Sequence, residues 1–373
     1  MTSNTRQALL GGVRSLVVKL GTNVLADARG RLDLALVGRI ADEVHALKDR
    51  GLKVAVVSSG AIGAGLGDLG LEKRPAALPQ LQACAAVGQT TLMRAFDEAL
   101  KRHGRHAAQV LLVRGDIEDR TRYLNVRNCI GALQAYGAVP IINENDTVSV
   151  DEIRFGDNDI LAALVANLLR ADLLVLLTTV DGVYRDASRR DRFDVVEDLD
   201  EVRGAVVEKD RSALGVGGMR SKLEAVSKVL AAGELAAIAD GRQPRILADL
   251  LAGKAVGTLF VPTRGKMNAK KRWIGLSRRP RGTIRVDDGA AKAVRARKSL
   301  LASGITAVAG AFEAGDVVAI VSTAGDEIAQ GLANYSSAEV AKIKGLKSSE
   351  FARVLGDRPY DEVVHADNLV LTD

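Results

Sequence analysis

Through the first two-thirds of the chain, short continuous hydrophobic runs alternate with longer stretches of helical periodicity. Residues 15–20 (SLVVKL), 53–58 (KVAVVS), 108–113 (AQVLLV), 138–143 (AVPIIN) and 172–178 (DLLVLLT) are aliphatic runs bounded by charges or turn residues. Strands buried on both faces read this way, so these five are predicted to be central and parallel. Between them, residues 34–50, 79–103, 121–136 and 158–170 carry apolar side chains at helical spacing. A helix over 219–232 and a strand over 235–239 complete the pattern near residues 260–262. Such alternation predicts an α/β fold: a three-layer αβα domain with a mainly parallel sheet and right-handed crossovers.

Beyond that point the texture changes. Residues 263–282 (TRGKMNAKKRWIGLSRRPRG) are charged, poor in apolar side chains and broken by Gly and Pro, as an exposed connection would be. Short runs at 283–286, 307–309, 317–321 and 328–332 follow, with glycines between them. They predict a small β-barrel-like module with helical pieces over 290–301 and 337–344. The expected division is an α/β domain over 12–262, a basic linker over 263–279 and the small module over 280–358.

Composition narrows this picture. A chain of 373 residues has room for two domains. Its net charge of +6 is concentrated: residues 264–298 hold thirteen Lys/Arg and two Asp, a local +11, which leaves −5 for the remainder. Aromatics are only 3 % of the chain, which argues against an extended base-stacking surface. The two cysteines, Cys84 and Cys129, are too few for a disulfide framework and read as small core hydrophobes. Residues 1–13 lack the pattern of a signal peptide, and the most apolar run, 173–177, is too short to span a bilayer. The expectation is a soluble, cytoplasmic protein with no membrane partner.

The usual phosphate motifs do not explain the chain. Neither Gly253-Lys254 nor Gly265-Lys266 is followed by Ser or Thr, so there is no P-loop signature. A dinucleotide-type spacing occurs in GLGDLG (65–70), but it sits too far past the strand ending near Ser58, which favours a chance match in a helix or turn. Better placed are turns at the carboxyl ends of predicted strands: Lys19–Thr22, Ser58–Ala61, Asn143–Asp146 with residues 156–159 close behind, and later 215–218. Glycine lets backbone N–H groups approach a phosphate, and helix N-termini add a favourable dipole.

Lys19 interrupts an apolar strand where a charge must reach solvent, a partner or a ligand; a snorkelling edge lysine and a ligand-facing one explain it equally well. After the strand PIIN, the polar run Asn143, Glu144, Asn145, Asp146 exceeds what a helix cap and turn require. Asp157, Asn158 and Asp159 open a helix at which one acid would suffice as cap. His45, His103, His106 and His365 show no metal-ligand spacing or acid-partner pattern, and Ser59 lacks the G-x-S-x-G surroundings of an acyl-enzyme serine.

Taken together, VVKLGTNVL (17–25), VVSSGAIGAG (56–65), PIINENDTV (140–148), FGDNDILAALVA (155–166), LLTTVDGVY (176–184) and GVGGMRSKLEAV (215–226) resemble the amino-acid kinase family. The tail, from RGTIRVDDGAAKAV through IAQGLANYSSAEV, resembles a PUA domain. Among family members, the motifs are most similar to those that phosphorylate the L-glutamate γ-carboxylate with ATP, giving L-glutamyl 5-phosphate in the first step of proline biosynthesis. The resemblance implies a catalytic set of Lys19, Lys222 and Asp159. It implies ATP contacts from Lys19, Thr178, Thr179 and the turn Val216, Gly217, Gly218, Met219, Arg220, Ser221 and Lys222. It implies glutamate contacts from Ser59, Asp146 and Asn158, assisted by Asn143.

Two departures stand out. The family commonly has an acid where Thr179 stands, and Thr where Val216 stands, which leaves only backbone contacts there. No protein-held metal is implied, since Mg²⁺ would arrive mainly on the ATP phosphates. A γ-carboxylate with pKa ~4.3 is ionised at neutral pH, so the nucleophile needs no general base. The resemblance also implies proline as feedback inhibitor and a homo-oligomer. Alternatives are a sibling kinase acting on N-acetylglutamate, aspartate, carbamate or a nucleoside monophosphate, a catalytically idle regulator, and an RNA-binding or RNA-modifying protein. RNA binding by the PUA-like tail ranks low, because Trp273 is the one aromatic residue in the basic segment.

Overall fold

The computed structural model describes residues 3–27, 30–148, 158–185, 191–207, 218–263, 265, 271, 274–275, 279–356 and 360–372. The chain divides into two units, Met1–Lys266 and Met267–Asp373. In the first, strands β1 (Ser15–Leu20), β2 (Lys53–Val57), β3 (Ala107–Leu112), β4 (Val139–Glu144), β5 (Leu173–Thr178), β6 (Val195–Val196), β7 (Leu235–Asp240) and β8 (Thr258–Phe260) form one sheet. Their order is β3-β4-β2-β1-β5-β7-β8-β6. Pairing is parallel from β3 to β7, while β8 runs antiparallel to β7 and carries β6 parallel to itself.

The helices of this unit are α1 (Ser3–Leu10), α2 (Thr22–Leu25), α3 (Leu34–Asp49), α4 (Ala61–Asp68), α5 (Leu78–Lys101), α6 (Arg114–Glu118), α7 (Arg120–Ala135), α8 (Asn158–Leu169), α9 (Leu199–Val207), α10 (Met219–Ala231) and α11 (Ile246–Leu251). Leu16, Val18 and Leu20 of β1 pack into one cluster with Ile40 and Val44 of α3, Leu92 and Phe96 of α5, and Leu247 and Leu250 of α11. Successive strand residues point to opposite faces. Val17 and Lys19 therefore face the other layer, where α8 packs on β1, α7 on β4 and α10 on β7. The sheet lies between two helical layers. Helix α8 is buried along almost its whole length, Asp159 to Leu168, so any polar side chain on it must find a partner.

The GLGDLG stretch belongs to α4 and the turn after it, and its glycines serve packing and turning. Helices α4 and α5 cross so closely that a Cβ on Gly65 would lie 1.9 Å from the Cys84 carbonyl oxygen. A Cβ on Gly88 would lie 1.9 Å from the Ala61 carbonyl oxygen and 2.3 Å from the Gly65 nitrogen. Both obstacles are backbone, which cannot rotate away. Gly65→Ala and Gly88→Ala are each expected to destabilise this unit by about 3 kcal/mol or more, read as a lower urea midpoint at unchanged slope. Unchanged midpoints would mean that the two helices separate at no cost.

In the second unit, β9 (Gly282–Val286), β10 (Ile305–Gly310), β11 (Val317–Val321), β12 (Glu327–Leu332) and β13 (Leu369–Leu371) form a sheet in the order β10-β9-β11-β12-β13. The β9–β11 pair is parallel and the other pairs are antiparallel. Ile284, Val318, Ile328, Val340 and Leu369 belong to its own core. The helix expected over 290–301 ends at Arg295. Arg297 adopts the left-handed conformation (φ 60°), and the Leu300 N–H then donates to the Val364 carbonyl, which returns the chain to extended pairing.

Two further sequence expectations need revision, and one helix has no counterpart in the sequence pattern. Cys84 is buried but Cys129 is exposed: α7 buries Tyr123 and Ile130, and the residue before Ile130 points about 100° away. Helix α1 was not expected at all; it docks through buried Arg6, which bonds Asp194 at 2.6 Å and the Val256 carbonyl at 2.7 Å. His45 and His103 do have acid partners, Asp49 at 3.1 Å and Asp42 at 2.7 Å, and their rings stack at 4.2 Å. Among the described residues no helix is long and apolar enough to cross a membrane.

Candidate active site

Lys19 is the penultimate residue of β1, on the face covered by α8, and is only 4 % exposed. Its ammonium meets the carboxylate of Asp159, the second residue of α8, at 2.7 Å from Oδ1. Lys222, in the first turn of α10, meets the same carboxylate at 2.9 Å from Oδ2. Asp159 is fully buried. Burial alone would raise its pKa, but Lys19 and then Lys222 outweigh that and hold it below the ordinary value of 3.8. The carboxylate fixes one ammonium on each oxygen, so the triad carries a net positive charge that is aimed rather than diffuse.

Helix α10 adds to this charge. Gly218 is its N-cap, in an extended conformation and with no side chain to cap the first turn. The N–H groups of Met219 and Arg220 stand in the first turn, where the helix offers no i−4 carbonyl, and the helix dipole favours an anion in front of them. The Ser221 hydroxyl donates to the Gly218 carbonyl at 3.0 Å.

On the β2–β4 side of β1 lies an amide network. Asn158 Nδ2, at the start of α8, donates to the Ser58 carbonyl (2.8 Å), Ser59 Oγ (3.0 Å) and Asn143 Oδ1 (3.0 Å). Asn143 Oδ1 also accepts the Glu144 N–H at 2.9 Å, and Asn143 Nδ2 donates to Gln89 Oε1 at 3.0 Å. Backbone groups fix the polarity of both asparagines, and Asn158 Oδ1 is left as an acceptor without a protein donor among the described residues. Gly60, in the left-handed conformation (φ 91°), turns the chain from Ser59 directly into α4.

The residues singled out from sequence thus separate into groups. Lys19, Asp159 and Lys222 form one cluster, and Ser59, Asn143 and Asn158 form a second, joined to the first through the adjacent positions 158 and 159. Asp146 is half-buried in the turn after β4. Thr178 ends β5, opposite Asp240 of β7, and Thr179 is exposed just beyond it. Gly218, Met219, Arg220 and Ser221 form the start of α10; Val216 and Gly217 lie outside the described residues, as does Trp273. Gln89 was missed from sequence. Its signal was a polar residue on the buried stripe of α5 that includes Ala85, Gly88 and Leu92.

Residues 14–239 match the Amino acid kinase family, and residues 282–355 match the PUA domain. The chain belongs to the amino acid kinase family. It is 43 % identical over 373 residues to the glutamate 5-kinase of Pelobacter propionicus, covering 98 % of this chain and 100 % of that protein. It is 45 % identical over 374 residues to the glutamate 5-kinase of Geobacter sulfurreducens, with 98 % and 100 % covered. A carbamate kinase structure from Giardia aligns with a TM-score of 0.49 at 20 % identity, over 67 % of this chain and 99 % of that one.

For a member of the amino acid kinase family, the arrangement matches the task of bringing one anion onto another. Two placed ammonium groups and an uncapped helix N-terminus face the carboxyl ends of the strands, where phosphoryl charge can be neutralised. The amide network beside them offers neutral donors and acceptors for a small polar acceptor molecule. Among the described residues, no group of three or more His, Cys, Asp or Glu could hold a metal ion. Both oxygens of Asp159 are already engaged by lysines. The described residues therefore do not form a cage for Mg²⁺.

Proposed function

We propose that this protein transfers the γ-phosphoryl group of ATP to the γ-carboxylate of L-glutamate, giving L-glutamyl 5-phosphate and ADP, the first step of proline biosynthesis. The observation that carries this reading is the Lys19–Asp159–Lys222 cluster set directly beside the Asn158–Ser59–Asn143 network, in a chain alike over its full length to glutamate 5-kinases. A γ-carboxylate oxygen attacks the γ-phosphorus, and the bond from that phosphorus to the β-phosphate oxygen breaks. The acceptor is already ionised at neutral pH, so no base is required.

In this reading Lys19 neutralises the transferring phosphoryl group, Lys222 the leaving β-phosphate side, and Asp159 positions both. ATP rests on Lys19, Thr178, Thr179 and the segment from Val216 through Gly217, Gly218, Met219, Arg220 and Ser221 to Lys222. Glutamate rests on Ser59, Asp146, Asn158 and Asn143. Mg²⁺ enters on the ATP phosphates, as part of that substrate. The reading assigns both substrates to residues 12–262, a basic linker to 263–279 and the PUA domain to 280–358. It includes proline as feedback inhibitor, a homo-oligomer and a cytoplasmic location, and it gives RNA binding no part in the reaction.

The test is ATP turnover with L-glutamate in the presence of hydroxylamine, which traps an acyl phosphate as the hydroxamate. Turnover with N-acetylglutamate, aspartate or carbamate but not with glutamate would overturn the assignment. Within it, Asn158→Ala is expected to raise the glutamate KM roughly 10- to 100-fold, the loss of one hydrogen bond to a charged group, with a smaller change in the KM for ATP. Equal effects on both substrates would place Asn158 in general site structure instead.

A further inference from the structure

Gln89 is 8 % exposed, on the buried face of α5, and its two amide atoms have unequal fates. Oε1 accepts from Asn143 Nδ2 at 3.0 Å. Nε2 is buried with no hydrogen-bond partner among the described residues. A buried amide donor left unpaired is costly, and native proteins seldom keep one without a reason. Here the donor belongs to a side chain that touches Asn143, in the same network as Ser59 and Asn158.

The order of groups along the site indicates what this donor meets. Lys19 and Lys222 stand on Asp159, Asp159 follows Asn158, Asn158 bonds Asn143, and Asn143 bonds Gln89. The carboxylate that receives the phosphoryl group must lie at the lysine end. In an acceptor with two carboxylates, the second would then lie toward the other end of this chain of bonds, on the Gln89 side. Asn158 Oδ1, an acceptor with no donor among the described residues, belongs to the middle of this chain of bonds and suits an ammonium group.

The geometry points to Gln89 as a substrate-binding and specificity-determining residue, whose Nε2 donates to the α-carboxylate of bound glutamate while its Oε1 holds Asn143. This deepens the glutamate reading and rests on it. The contact would be neutral to charged and shielded from water, the stronger class of hydrogen bond. It would select acceptors bearing an α-carboxylate over those that lack one.

Gln89→Glu tests the role, because it keeps an oxygen for Asn143 and replaces the amide donor with an acceptor. The glutamate KM is expected to rise at least a hundredfold, with ATP affinity near that of the wild type and a lower Tm, since the new carboxylate is buried without a counterion. The KM should then fall again as pH drops, since the introduced carboxyl regains a donor when protonated; the wild type should lack this recovery. Gln89→Met, which removes the donor together with the brace on Asn143, should raise the glutamate KM at least tenfold, so an unchanged KM in it overturns the proposal even if Gln89→Glu does not fold. A glutamate KM within threefold of wild type in a folded variant would overturn the proposal and leave Gln89 a brace for Asn143. No glutamate-dependent hydroxamate from the wild type would instead defeat the substrate reading itself.

Discussion

Lys222→Ala is expected to lower kcat roughly 100- to 1,000-fold, the usual loss when one preorganised charge-stabilising donor is removed. The KM for glutamate should change by only a few fold. The asymmetry follows from placement. Lys222 sits in the first turn of α10, at the N–H groups that suit phosphate, whereas Ser59, Asn143 and Asn158 lie on the β2–β4 side of β1. Removing it leaves Asp159 paired with Lys19 at 2.7 Å, so no buried carboxylate is stranded and the cost in stability is modest. Lys222→Arg should not restore activity. Its planar fork cannot occupy the compact position of an ammonium that is buried and seated on one carboxylate oxygen. Steady-state kinetics with hydroxamate detection reads both constants, and a near-normal kcat in Lys222→Ala would remove this lysine from the mechanism.

Sequence periodicity carried the layer architecture a long way, for a physical reason. Parallel strands covered on both faces must be apolar throughout, so SLVVKL, KVAVVS and DLLVLLT announce themselves, and Lys19 is conspicuous because it violates the run. Its charge could have ended in solvent. Only the fold brings Asp159 to it from 140 positions later, and long-range pairing has no local signature. The glycines of GLGDLG illustrate the opposite error. Glycine permits phosphate approach and close helix contact alike, and spacing alone cannot separate the two; the 1.9 Å that would separate a Cβ on Gly65 from the Cys84 carbonyl oxygen does. Cys129 was misread because α7 buries so few residues that its apolar stripe has no clear phase. Gln89 was hidden for a related reason: in a long helix that buries a wide stripe, one amide among alanines and leucines reads as noise until its partner is known.

Asp159→Asn should have the larger overall effect, because it strikes fold and chemistry together. The variant keeps shape but offers one acceptor and one donor to two buried ammonium groups, so at least one lysine is left facing an N–H. Stranding a buried charge in this way costs about 3–5 kcal/mol. Both lysines lose their seats, so kcat should fall at least as far as in Lys222→Ala. ATP binding should move the other way. The cluster goes from one net positive charge to two, and the phosphates supply the missing countercharge, so ATP should bind more tightly and raise the Tm of the variant more than that of the wild type. The pH dependence adds an independent check. A carboxyl whose pKa is depressed by folding contributes stability above its unfolded value and loses it as pH falls through its folded value. For Asp159 that loss begins only in acid, below the ordinary 3.8, so its contribution is constant through neutral pH and withdrawn at the acid end. Urea melts across that acid range should show a steeper decline for the wild type than for Asp159→Asn. If the variant instead kept normal kcat, or bound ATP more weakly than the wild type, Asp159 would not be the residue that positions the two lysines.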